Sequence, residues 1–160
     1  MSRFLTIVLI AMALCVSSCS NDSCSDNGSS LPLATFYVGD NQQTISRLSI
    51  MGIGVPGDSL LADGASINEA YLPLRASTST TSYALWRTLA DSTLTVRDTV
   101  TFSYQPIEFF HSIECGAMYN FEIQRVSHTS HGIDSVVLLT PLVTNARTPA
   151  LRIHFTALTL

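Results

Sequence analysis

Beyond residue 30 the apolar residues recur at every second position in short runs separated by turn residues, and no window sustains a 3.6-residue period over a helical length. An alternating set can be buried together only if the backbone is extended, because successive side chains of a strand point to opposite faces. Leu33 to Val38 is a β-rich run closed by Gly39-Asp40-Asn41, and Ile45 to Val55 sets Leu48, Ile50 and Gly52 against Arg47, Ser49 and Met51. Pro56-Gly57-Asp58 and Asp63-Gly64 read as turns. Ile67 to Leu74 follows, with Pro73 at an edge or a strand end. Ser82 to Thr88 then places Tyr83, Leu85 and Arg87 opposite Ala84 and Trp86.

Between Leu94 and Tyr104, Asp98 interrupts an apolar face, which predicts a turn near Arg97-Asp98 with a strand on each side. Ile107 to Ile113 reads as a further strand after Pro106. Met118 to Val126 alternates cleanly, with Tyr119, Phe121 and Ile123 inward. Ile133 to Leu139 is almost continuously aliphatic and predicts a strand buried on both faces. In the last run, Leu151, Ile153 and Phe155 oppose Arg152 and His154. Nine or ten short strands in one domain, residues 32–160, predict an all-β fold, an antiparallel β-sandwich.

The first residues follow another logic. Met1-Ser2-Arg3 carries one positive charge, and Phe4 to Val16 is a 13-residue run without charge. It is too short to span a bilayer, which takes about 20 apolar residues, and it has the length of a signal-peptide core. Val16-Ser17-Ser18-Cys19 resembles a bacterial lipobox, in which the cysteine thiol is lipidated and the chain is cut before it. Residues 1–18 read as the signal and 19–31 as a polar tether. Several acyl chains on Cys19, at about 0.8 kcal/mol per buried methylene, anchor a protein stably. The expected location is the outer membrane, facing the periplasm.

Cleavage there leaves 142 residues with seven arginines against twelve acids, a formal charge of −5. No lysine occurs anywhere, so Schiff-base and phosphate-loop lysines are excluded, and no basic footprint for nucleic acid exists. Serine and threonine number 38, so much of the polar surface is hydroxyl. Cys24 and Cys115 remain as an even pair in an exported chain, which predicts a disulfide closing a long loop. Free thiols are the rival reading. His111 precedes Cys115 by four positions, about 13 Å along a strand, too far to act as its base.

Candidate chemistry is sparse. Gly57-Asp58-Ser59-Leu60 spells the signature of the GDSL-type esterases, but no aspartate is followed three residues later by the histidine which that mechanism needs. His128, His131 and Asp134 have ligand-like chemistry within a loop, yet a fourth ligand is not identifiable and Gly132 favours a plain hairpin, so no metal or other cofactor is expected. Glu69, Glu108, Glu114 and Glu122 select no catalytic pair. Trp86 with Tyr83 is the candidate ligand contact, an aromatic platform for a sugar face, against the plain reading of both as core.

The lipobox, a second cysteine soon after it, Leu72-Pro73-Leu74, Asp98-x-x-x-Phe102-x-Tyr104, Glu114-Cys115-Gly116 and Val143-Thr144-Asn145 occur together. The arrangement resembles a family of small uncharacterised Bacteroidetes lipoproteins. That resemblance implies export and a lipid anchor, supports pairing Cys24 with Cys115, and carries no catalytic residue. The function expected is that of a non-enzymatic lipoprotein, held in the membrane by its lipid, whose sandwich binds or scaffolds another envelope protein. A glycan-binding module is the alternative.

Overall fold

The structure, a computed structural model, describes residues 30–55, 59–88, 95–113 and 116–157. Among them the alternating pattern becomes eleven strands and no helix. In chain order these are β1 (Leu33–Val38), β2 (Asn41–Gln42), β3 (Ile45–Ile53), β4 (Leu60–Ile67), β5 (Glu69–Tyr71), β6 (Thr80–Thr88), β7 (Thr95–Ser112), β8 (Gly116–His128), β9 (Ile133–Leu138), β10 (Leu142–Val143) and β11 (Pro149–Phe155). They form two sheets. The six-stranded one has the order β10-β8-β7-β6-β3-β4, and the five-stranded one the order β2-β1-β11-β9 with β5 also pairing β1. All pairs are antiparallel except β1 with β11, which run parallel. A parallel pair needs a long crossover, and here almost the whole sandwich lies between its two strands.

Inward residues of the two sheets share one core. Ala34, Phe36, Leu151 and Ile153 meet Leu48, Ile50, Leu85 and Val100, all buried. Edge-to-face ring pairs run through it: Phe36 with Phe155 at 5.7 Å, Tyr83 with Phe102 at 6.2 Å, and Tyr104 with Phe121 at 5.5 Å. Each such side chain removed from water contributes about 1.5–3 kcal/mol. The outward pair predicted on β11 is also in place. Arg152 stacks over the Tyr37 ring at 4.4 Å, while His154 stacks on Tyr37 and bonds the Gly39 carbonyl.

Four expectations are corrected. The predicted turn at Arg97-Asp98 does not exist: β7 runs unbroken from Thr95 to Ser112, Asp98 lies opposite Leu85, and its carboxylate points inward, where it is bonded. The strand predicted after Pro106 is the same β7. Beyond Ser103 β8 is the one strand that pairs with it among the described residues, so Pro106 lies where the other edge of β7 has no strand beside it. Ile133 to Leu139 is not buried on both faces: Ile133 is core, while Val137 is 43% exposed, and β9 is an edge strand. Asp63-Gly64 is a bulge rather than a turn. Ala62 and Ala65 pair with Ile50 and Leu48, so two residues oppose Ser49 alone, and the Ser49 hydroxyl accepts the Gly64 N–H.

Gly64 adopts φ +56° at that bulge, with open space where a Cβ would sit. The cost of a side chain there is therefore conformational rather than steric. Gly64→Ala is expected to lower the unfolding free energy by about 1–2 kcal/mol, read from the urea midpoint with an unchanged slope.

Candidate functional site

The densest polar centre lies at the end of β7, where the chain leaves β8 in one sheet and crosses to β9 in the other. Asp98 is 3% exposed, and its two oxygens accept five hydrogen bonds. Oδ1 receives the Thr129 hydroxyl at 2.7 Å, the His131 backbone N–H at 2.8 Å and the His131 ring Nδ1 at 3.1 Å. Oδ2 receives the N–H of Gly132 at 2.6 Å and of Ile133 at 3.0 Å. Burial works against ionising this carboxyl. The His131 N–H, the Thr129 hydroxyl, the Gly132 N–H and the His131 ring outweigh it and hold the group below the usual carboxylate value.

Gly132 is needed for close approach. A Cβ on it would meet Val96 Cγ1 at 2.7 Å, with Asp98 Oδ2 at 3.5 Å. Thr129 also ties the loop back to β7, accepting the Thr99 N–H at 2.9 Å. On β6, the nearly buried Arg87 donates to the Thr156 carbonyl at 2.7 Å and lies over the Phe155 ring. Burial lowers its pKa, while the charges of Asp134 and Asp98 oppose that shift.

A second polar centre lies six residues along the same strand. The buried Tyr104 hydroxyl accepts the Arg75 N–H at 3.0 Å, donates to the Arg75 carbonyl at 2.9 Å, and meets the hydroxyls of Thr81 and Thr78. It fixes residues 72–79, the passage from β5 in one sheet to β6 in the other. Beside it, Tyr83 donates to the Pro73 carbonyl. Burial raises the Tyr83 pKa, with Tyr104 adding to the shift and Arg75 opposing it.

The candidates from the sequence fall at separate places. Tyr83 and Trp86 occupy opposite faces of β6, because positions three apart on a strand point oppositely. Tyr83 is core, and Trp86 is half-buried on the outer face with the Arg97 guanidinium 5.2 Å from its ring centre. No shared platform forms. His128 bonds the Thr129 carbonyl, His131 bonds Asp98, and Asp134 accepts the Thr156 hydroxyl, so these three do not converge. No cluster of three metal-ligating side chains occurs among the described residues.

Ser59 borders a mostly apolar cleft of about 150 Å³ with Gly52, Leu61, Pro73 and Tyr83. That is small beside the ~300 Å³ lower end of ordinary ligand pockets. Cys19, Cys24 and Cys115 lie outside the described residues. The sequence reading missed the anchoring role of Asp98. A carboxylate at an inward position of an alternating strand was its one signal.

A model for a family of unknown function (DUF6452) matches residues 47–155, more than half of the chain. The chain belongs to this family. The DUF6452 segment runs from β3 to the last residue of β11 and so holds both polar centres, Asp98 with its loop and Tyr104 with residues 75–81. β1 precedes it, although β1 pairs with β11 inside it. No curated protein and no solved structure matches the chain.

The sign of the pH dependence follows from the lowered Asp98 pKa. The stability it contributes is complete above the unfolded value, about 3.9, and is lost as pH falls through the folded value. Asp98→Asn is expected to cost about 2–4 kcal/mol at pH 7. It should also flatten the loss of stability below pH ~4, measured by urea unfolding across pH.

Proposed function

We propose that this DUF6452 chain is an exported lipoprotein, held in the outer membrane by lipid on Cys19, whose β-sandwich serves as a contact surface for another envelope component. The observation that carries this reading is Val16-Ser17-Ser18-Cys19 at the end of a 13-residue uncharged run with one arginine before it. The polar centres support a contact role over a catalytic one. Asp98 and Tyr104 have their acceptors and donors committed to holding two crossings between the sheets. Metabolic labelling with a palmitate analogue tests the anchor: the wild type is expected to take up label and Cys19→Ala to take up none. Label retained in Cys19→Ala overturns the reading.

The same reading includes a Cys24–Cys115 bridge. Its support is reach. The Ser30 hydroxyl donates to Asn120 Oδ1 at 2.8 Å, Cys24 lies six residues before Ser30, and Cys115 five before Asn120. Each segment can extend roughly 16–20 Å, enough for the two thiols to meet. Alkylation without reductant is expected to modify neither cysteine in the mass spectrum. Cys24→Ser should lower stability by about 2–4 kcal/mol, whereas two alkylated thiols in the native protein argue against the bridge.

A further inference from the structure

β9 ends the five-stranded sheet, and among the described residues no strand pairs with its other side. Its residues do not suit that place. Ile133 to Leu139 carries aliphatic side chains on both faces, the pattern of an interior strand. Val137 is 43% exposed, Leu139 42% and, just beyond, Leu142 47%. Free strand edges are ordinarily guarded by a lysine, a proline, a bulge or brevity. β4 carries the Asp63-Gly64 bulge, and β2, β5 and β10 are two or three residues long. β9 has six residues with no lysine, arginine or proline, and its one irregular register step falls at its start, opposite Phe155.

The direction of its backbone groups decides how it can be paired. The Leu139 N–H donates to the Ala150 carbonyl, and alternation turns the groups of Val137 and Ser135 toward β11 as well. Those of Val136 and Leu138 therefore face the open edge. Consider a second β9 laid antiparallel there, with a two-fold axis at Val137. Val136 of each copy then faces Leu138 of the other, with a reciprocal pair of hydrogen bonds on either side of the axis. Val137 meets its own copy, so the three central side chains meet only aliphatic ones. The strand's one charge, Asp134, falls opposite Thr140. Its two copies lie six residues apart along the ladder, about 20 Å, well beyond the screening length of about 8 Å. An axis at Val136 would instead set that carboxylate opposite Leu138. The strand is thus complementary to itself in one register, and a second copy presents the same open edge.

We propose that β9 is the interface of a two-fold dimer of this chain, in which Val136, Val137 and Leu138 join the five-stranded sheets of two copies into one continuous sheet. The contact is isologous, the commonest form of homodimer. It is one strand wide, at the small end of specific interfaces, so monomer and dimer exchange with concentration. The pairing does not depend on the lipid anchor.

Cysteine pairing tests the register. The full chain carrying Val137→Cys is oxidised in cells with copper phenanthroline. The wild type measures any link through Cys24 or Cys115, and Ser135→Cys is the register control. A non-hydrogen-bonded antiparallel pair has Cα atoms about 4.5 Å apart, within disulfide reach. The two copies of Ser135 lie four residues apart, about 13 Å. Expected is a reducible dimer of Val137→Cys whose mass spectrum joins the two copies of position 137, with no corresponding link in Ser135→Cys. Equal linkage at both positions, or a Val137→Cys adduct with a different protein alone, overturns the proposal. Sedimentation of the purified wild type over a concentration series is expected to show a monomer–dimer equilibrium. Val137→Lys should abolish it by setting two ammonium groups against each other, and should keep the urea midpoint because the position is exposed. A wild type that stays monomeric throughout, or a Val137→Lys chain that still dimerises, overturns the proposal as well.

Discussion

One strand carries the constraint on which the rest of the sandwich depends. β7 lies inside the six-stranded sheet, and from its inward face it reaches both Asp98 and Tyr104, six residues and about 20 Å apart. Each grips a segment that crosses between sheets: residues 129–133 at the Asp98 end and residues 75–81 at the Tyr104 end. A crossing segment has no ladder of its own, so its buried N–H and C=O groups need partners from elsewhere. The carboxylate supplies two oxygens to three successive N–H groups, and the phenol supplies one donor and one acceptor to Arg75. Hydrophobic burial draws the sheets together without direction. These hydrogen bonds fix the path along which the chain passes from one sheet to the other.

Burying a carboxylate is costly unless it is fully bonded, and Asp98 is fully bonded. Gly132 makes this geometry accessible, because only a residue without a Cβ can lie against Val96 and still present its N–H to the carboxylate. The two positions are 34 apart in sequence, and neither explains itself alone. Membership of a family defined over residues 47–155 brings both into one unit.

Much of the fold was legible in the residues. The inward sets of β3, β6, β8 and β11 follow the alternation, since burial of one face imposes a two-residue period. What misled was punctuation. Asp98 looks like a turn residue because aspartate usually is one, and the bonds that make it an inward residue come from a loop more than thirty positions away. Asp63-Gly64 has the composition of a turn and serves as a bulge, which uses the same left-handed glycine for the same backbone reason. The aliphatic Ile133 to Leu138 lies at a sheet edge because sheet order is set by tertiary pairing, and edge strands need not be polar.

By itself the sequence determined the extended backbone, the parity of its faces and the short apolar head that ends in a cysteine. These are local matters: period, run length and side-chain size. Only the tertiary structure decided that Asp98 is an anchor and that β1 runs parallel to β11. It also decided that the β7–β8 hairpin outruns its neighbours and leaves Phe110 and Ile113 in water. Each of these depends on which distant strand or loop lies alongside, and alternation along one strand carries no information about its neighbour.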